Sequence, residues 1–397
     1  MSDNVTGFST EAHKPIPLWR DVRVLAVLAQ AVFVVLVVIV AGWLYSNLME
    51  ALDALGMDLG FGFLSRQGGF LIGQGYPFAR TDTYLQAYFA GVINSAVVIV
   101  VGLVLTTFLG VISGIALLSD NWLVRTIFRV YVEVMRNTPL LVQLFFIYFA
   151  LLLKLPSLSD RIELPGPIYL SNRGIMMIWP HREVMFGNWL IFVVGGALIG
   201  AVLWRWRARR KRLTGENSQR ALWGSAPVLL LAAVGWLVLP GVPFTFEAPV
   251  IDGFRVEGGL TLTPELAAIL FGLVIYTAAF IADIVRAGIL AVPHGQIEAA
   301  RAQGLTEAQV MRLVVLPQAL RVIVPPLTNQ YLNLAKNSSL AIGVGYPDLY
   351  AISNTIFNQS GRAVQVIAMI MATYLVMSLS ISAVMNFVNR RIQIVER

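Results

Sequence analysis

The chain has 397 residues, 57% of them hydrophobic and only 13% charged, with no cysteine. Soluble domains carry roughly 25% charged residues, so this composition excludes a soluble protein; the lack of cysteine excludes disulfides, thiolate metal sites and thiol catalysis. The net charge of +7 does not require nucleic acid, because Lys and Arg collect in the cytoplasmic loops of membrane proteins.

In chain order, the first 20 or so residues are poor in apolar positions and read as a disordered cytoplasmic tail ending in Arg20 and Arg23. Span one covers Val24 to Leu44, about the 20 residues that cross a bilayer. It is too long for a signal peptide and lacks a small-residue cleavage pattern. Residues 45 to 84 suit an interfacial or external segment. Span two runs from about Tyr88 to Leu118; its Gly110 and Gly114 either admit a close-packed helix or reflect ordinary glycine usage. Arg125, Arg129, Glu133 and Arg136 then recur at helical spacing, as in a basic amphipathic interfacial helix, before Pro139 opens span three. Residues 156 to 187, with four prolines, read as an external loop. Span four, Trp189 to Trp204, ends in a run of basic residues from Arg205 to Arg212 that reads first as a topology anchor and second as a lipid-headgroup contact. Span five covers Leu222 to Leu239, and span six Pro264 to Leu290. In span six, Asp283 and Arg286 stand three apart and are expected to pair locally.

A polar stretch follows, Gly295 to Leu320, too polar to cross a bilayer. Gln296 to Gln303 favours helix, and Gly304 is suited to end it in a left-handed conformation. Thr306 and Gln309 have capping-box spacing, with Leu305 and Val310 placed as a hydrophobic staple. Pro317 is expected to end or kink the second helix. Ala299, Ala300, Ala302, Val310, Leu313 and Val314 supply apolar surface for docking, on a partner or on the protein's own core. Span seven, Arg321 to Val344, is expected to be broken by Pro325 and Pro326. It carries Asn333, Lys336, Asn337, Ser338 and Ser339 at bilayer depth. An intramembrane Lys is functional by default, so this segment either lines a transport path or makes interhelical hydrogen bonds, with Asn329, Gln330 and Gln365 as lesser candidates. Span eight covers Val366 to Phe387.

With the N-terminus inside and eight alternating spans, about 20 of the 29 Lys and Arg fall inside. That places both termini and Gly295–Leu320 in the cytoplasm. No GxxxxGK[ST] phosphate loop, HExxH or GxSxG element occurs, and the three histidines are scattered, so neither ATP binding, a metal site nor catalysis is expected of this chain.

The spacing Glu298-Ala299-Ala300, three residues, Gly304, nine residues, Val314, one residue, Leu316-Pro317 resembles the EAA coupling loop of bacterial ABC importer membrane subunits. VEVMRNTPLLVQLFFIYF from Val132 and YTAAFIADIVRAGI from Tyr276 are similar to patterns in the permeases for polar amino acids, of the longer, general L-amino-acid type. The resemblance implies an all-α integral membrane protein of about eight transmembrane helices, with a type I (MetI-like) five-helix core, an extra N-terminal helix and an inserted helix pair. Residues 1–84 would hold tail, first span and external segment; 85–391 the permease domain, with 156–260 an insertion. It further implies docking of Gly295–Leu320 on cytoplasmic ATPase subunits that carry ATP and Mg. A second related permease or another copy of this chain, a periplasmic amino-acid-binding protein and the inner-membrane bilayer would complete the assembly. Asp283, Arg286, Glu133 and Arg136 would then be structural or gating charges, and Lys336 with its neighbours would line the path. The competing class is an ion-coupled secondary transporter or channel.

Overall fold

The computed structural model describes residues 21–54, 60–214, 219–253 and 255–392; the N-terminal tail with Arg20, and Arg397, lie outside them. The chain divides into two compact units, Met1–Phe61 and Gly62–Arg397. The first unit is described as one helix, α1 (Val22–Ala54), which runs ten residues past the expected end at Leu44 because helix-forming residues continue there. It is apolar all round, the pattern of a membrane span.

The second unit begins with a short 3₁₀ turn (Gly62–Ser65) whose Phe63 is buried against Tyr84 and Ile356. Next comes α2 (Tyr84–Ala116), started by a complete capping box between Thr83 and Gln86. Asn121 caps α3 (Trp122–Asn137). Phe128, Tyr131, Val132 and Met135 fill one face of α3 and pack on Leu117, Ala279 and Ala282, while Leu123, Ile127, Val130 and Val134 form an exposed apolar stripe. This is the amphipathic helix that the spacing predicts. Thr138 is extended, as a residue before proline must be, and the chain turns by 109° into α4 (Leu140–Phe145) and the helical turns that continue it to Lys154. Gln143 closes the elbow by donating to the Met135 and Thr138 carbonyls at 2.9 and 3.0 Å.

The segment expected as a plain loop from 156 contains strands. β1 (Ile162–Leu164), β2 (Ile168–Ser171) and β3 (Gly174–Met177) form an antiparallel meander, and β4 (Trp179–Arg182) leads into α5 (Phe186–Thr214). α6 (Arg220–Val238) returns through β5 (Phe244–Glu247), which pairs with β4. The hairpin β6 (Val250–Asp252) and β7 (Arg255–Glu257) follows, and β8 (Leu260–Leu262) rejoins the sheet beside β3. The chain therefore comes back to the place it left. Strands of three or four residues carry too little alternation to stand out in a sequence.

From β8 the chain enters α7 (Pro264–Leu290), capped by Thr263 and two-thirds buried, the central helix of this unit. A Cβ on Gly114 of α2 would lie 2.7 Å from the Val285 Cβ and 2.8 Å from the Ala282 carbonyl. The Gly110 and Gly114 pair is thus a close-approach surface on α7. The remaining helices are α8 (His294–Ala302), α9 (Glu307–Val310), α10 (Leu316–Asn337), α11 (Leu349–Ser360) and α12 (Ala363–Ile392). α9 joins α10 through a wide π-type turn, Met311–Val315. Pro317 therefore does not end the helix. Its ring would crowd the carbonyl of Leu313 in a regular helix, and the wide turn contains that residue. Nor do Pro325 and Pro326 break span seven, since α10 runs through both; prolines are tolerated in membrane helices where the freed backbone groups find other partners. Among the described residues seven helices are long and apolar enough to span a membrane, or eight if the bent α3–α4 pair is one span.

Candidate functional site: the docking stretch, a charge cluster and a polar stripe

α8 and α9 form the helix-Gly-helix end of the second unit. Gly304 has φ +81°, the left-handed conformation that glycine adopts without steric cost. Thr306 and Gln309 cap α9 reciprocally, as expected. The apolar residues divide by face. Ala300 and Val310 are buried with Val315 against Ile281, Val285, Ala319 and Ile323 of the neighbouring helices, Leu305 and Val314 packing beside them. Glu298, Ala299, Ala302, Gly304, Thr306, Gln309, Leu313, Leu316 and Pro317 remain exposed. The stretch is thus seated on its own bundle by one side and presents the other.

Two side-chain pairs that the sequence reading missed tie it together, one ionic and one hydrogen-bonded. Arg301 bonds Glu307 in bidentate fashion, Nε at 2.7 Å and Nη2 at 3.0 Å, across the glycine turn. Hydrogen bonding from Arg301 holds the exposed Glu307 carboxyl below the usual carboxylate range. His294 and Glu298 pair at 3.0 Å one turn apart on α8. The i, i+4 spacing could have revealed the second pair, but the first depends on the turn geometry.

The four charges expected to be structural or gating do converge, with a different pairing. Asp283 bonds Arg136 on α3, not Arg286. The elbow at Pro139 brings the last turn of α3 across α7, and the Arg136 guanidinium also lies 5.3 Å from the Phe280 ring centre. Arg286 is exposed and lines a small pocket with Arg129, Glu133 and Leu117. Tyr131 adds a 2.7 Å bond to the Ile275 carbonyl, so α3 is tied to α7 at two levels.

The candidate path residues separate. Asn329, Asn333 and Lys336 are exposed and fall at helical spacing on one face of α10. Asn337 and Ser339 are half-buried, whereas Ser338 is 1% exposed and donates to the Ala335 carbonyl at 2.8 Å. Ser338 is therefore a packing residue, and Gln365 is buried too. Ser339 donates to the Lys336 carbonyl at 2.8 Å. At the same end of α10, away from the docking stretch, Asn94 of α2 accepts from the Tyr76 N–H and donates to the Pro347 carbonyl, each at 2.8 Å. It staples residues 73–76 over the α10–α11 junction.

Residues 106–394 match the family model described as "Binding-protein-dependent transport system inner membrane component". The chain is 40% identical to the "General L-amino acid transport system permease protein AapQ" of Rhizobium johnstonii, over 99% of this chain and 97% of that protein. It is 38% identical to the "Glutamate/glutamine/aspartate/asparagine transport system permease protein BztB" of Rhodobacter capsulatus, over 92% and 93%. A solved chain titled "Crystal structure of an amino acid ABC transporter with histidines" overlays with a TM-score of 0.46 at 22% identity, covering 78% of this chain and 95% of that one. With helices that cross the membrane many times and a family match spanning most of its length, the chain belongs to the inner-membrane components of binding-protein-dependent transport systems: it is a permease subunit and not an enzyme.

Proposed function

We propose that this chain is the membrane subunit of an ATP-driven importer of polar L-amino acids, and that Gly295–Leu320 is where it receives work from a separate ATPase. The observation that carries the reading is the two-faced docking stretch: seated on α7 and α10 by Ala300, Val310 and Val315, exposed at Glu298, Ala299 and Arg301 to Gly304, and cross-clamped by Arg301 and Glu307. A knob of this kind transmits a push into the bundle because its core side is packed with no freedom to slide. Two relatives named for amino-acid transport, matched over nearly their whole length, support the substrate class.

In this reading ATP and Mg sit on the partner subunits. A periplasmic binding protein presents the amino acid at the end bearing the sheet, and closure of the ATPases rocks α7 and α10 between inward-facing and outward-facing states. The exposed Asn329, Asn333 and Lys336 stripe faces the path shared with a second permease subunit, Lys336 meeting the substrate carboxylate. A charged stripe against lipid would be costly, about 2.5 to 3.5 kcal/mol for one Lys at mid-depth. Both termini lie in the cytoplasm by the charge bias, and residues 156–260 are an insertion into the permease domain.

Reconstitution into proteoliposomes tests this. Amino-acid uptake is expected only when the ATPase, the binding protein and internal ATP are all present. Uptake by this chain with any permease partner but no ATPase, driven by a proton or sodium gradient, would establish an ion-coupled transporter instead.

A further inference from the structure

The inserted hairpin α5–α6 has no part in the transport reading, yet it is built with care. Its two helices pack chiefly on each other at glycines: a Cβ on Gly200 would lie 2.2 Å from the Gly224 carbonyl, and one on Gly196 2.7 Å from the Pro227 carbonyl. Few residues of either helix are fully buried, so the outer surface of the pair is left for lipid. Tryptophans bracket it. Trp189 and Trp236 stand at the sheet end, Trp204, Trp206 and Trp223 at the other. Trp189 and Trp206 are 17 residues apart, about 26 Å along a helix, close to the roughly 30 Å hydrocarbon thickness that aromatic belts flank.

Beyond the second belt α5 continues for two more turns, so these turns lie at headgroup depth. They carry Arg207, Arg209, Arg210, Lys211 and Arg212, with Arg205 set between the two belt tryptophans Trp204 and Trp206. The hairpin bears no acidic residue within its described part. Arg207 is held in a fixed orientation, its guanidinium 4.3 Å from the Trp223 ring of α6 and 5.4 Å from that of Trp206. Its Nε is buried and has no hydrogen-bond partner among the described residues. A topology anchor needs the charges only; it needs neither a guanidinium stacked between helices nor an unsatisfied donor. Guanidinium groups bind phosphate in fork geometry, and the only phosphate held at that depth is in the bilayer.

We propose that this end of the α5–α6 hairpin is a binding site for the headgroup of an anionic phospholipid, with Arg207 on Trp223 as its centre and the flanking Arg residues as its rim. The site does not depend on which solute the subunit carries.

The test is lipid retention by the purified full-length chain, measured by native mass spectrometry after exchange into equal amounts of phosphatidylglycerol and phosphatidylcholine. The wild type is expected to retain phosphatidylglycerol at least tenfold in excess. Arg205→Gln/Arg207→Gln/Arg209→Gln/Arg210→Gln is expected to abolish that preference. Arg390→Gln/Arg391→Gln, which neutralises the basic end of α12, should leave it. Trp223→Ala keeps every charge and removes only the stack; it is expected to lower the preference severalfold and decides the matter if the quadruple variant fails to insert. Equal retention of the two lipids by the wild type, or an undiminished preference in Trp223→Ala, would overturn the proposal. Displacement of the lipid by millimolar inorganic phosphate would also overturn it, showing a site for free anions.

Discussion

Asp283 stands three residues from Arg286 on α7 and nevertheless bonds Arg136 of α3. Sequence spacing predicted the local pair, and the helix crossing set by Pro139 decided for the distant one. Both side chains are partly exposed, 32% for Asp283 and 42% for Arg136, so solvent screening limits the pair to about 1 kcal/mol. Its value lies in fixing how α3 follows α7. Asp283→Arg or Arg136→Asp alone is expected to slow uptake about fivefold, and the double exchange to recover most of it. Failure of the double variant to recover would deny the pairing. Lys336 is argued on different grounds, its exposure on a polar stripe of α10. Losing a charge-assisted hydrogen bond of roughly 1.5 to 3 kcal/mol predicts at least a tenfold fall in uptake for Lys336→Ala. Unchanged affinity and rate across all substrates would leave Lys336 with no place in the path.

At the scale of elements, legibility followed the locality of the cause. α7 has the very bounds read from the sequence, because Pro264 begins it and the apolar run defines it. The Gly304 turn and the Thr306–Gln309 cap were equally readable, being set within a few residues. What escaped has its cause elsewhere in space. The sheet is assembled from strands of three or four residues, and β8 meets β3 across the whole hairpin. Pro317, Pro325 and Pro326 read as interruptions, but the wide Met311–Val315 turn and the membrane-helix setting absorb them. The Lys336–Ser339 run read as one surface, and helix geometry sends Ser338 inward and Lys336 outward. The close approach of α2 and α7 gives a prediction at this scale. Gly114→Leu would drive its Cβ into Val285 and the Ala282 backbone; overpacking of this kind costs about 1 to 3 kcal/mol. The variant should show a lower unfolding midpoint in detergent and a smaller folded fraction by size exclusion. A wild-type midpoint would mean that α2 can shift without penalty.

Across the second unit, α7 is the helix on which α2, α3, α4 and α10 all pack. It touches the glycine face of α2, the elbow helix α3 and the base of the docking stretch. Its first turn is tied by Glu265, which accepts from Tyr148 at 2.9 Å and from Gln74 at 3.3 Å, at the end where substrate would arrive. In the proposed coupling, a push on α8 and α9 reaches the opposite end along this one continuous helix.

The measurement that tests this most directly is the ratio of amino-acid uptake to ATP hydrolysis in proteoliposomes for Gly304→Asp. Gly304 is exposed, a Cβ there meets nothing within 4 Å, and the left-handed backbone costs an L-residue only about 1 to 2 kcal/mol, so the variant should fold and insert. Its new carboxylate would stand on the docking face. Hydrolysis is expected to persist in part while uptake falls at least tenfold; a wild-type ratio of uptake to hydrolysis would contradict the docking role.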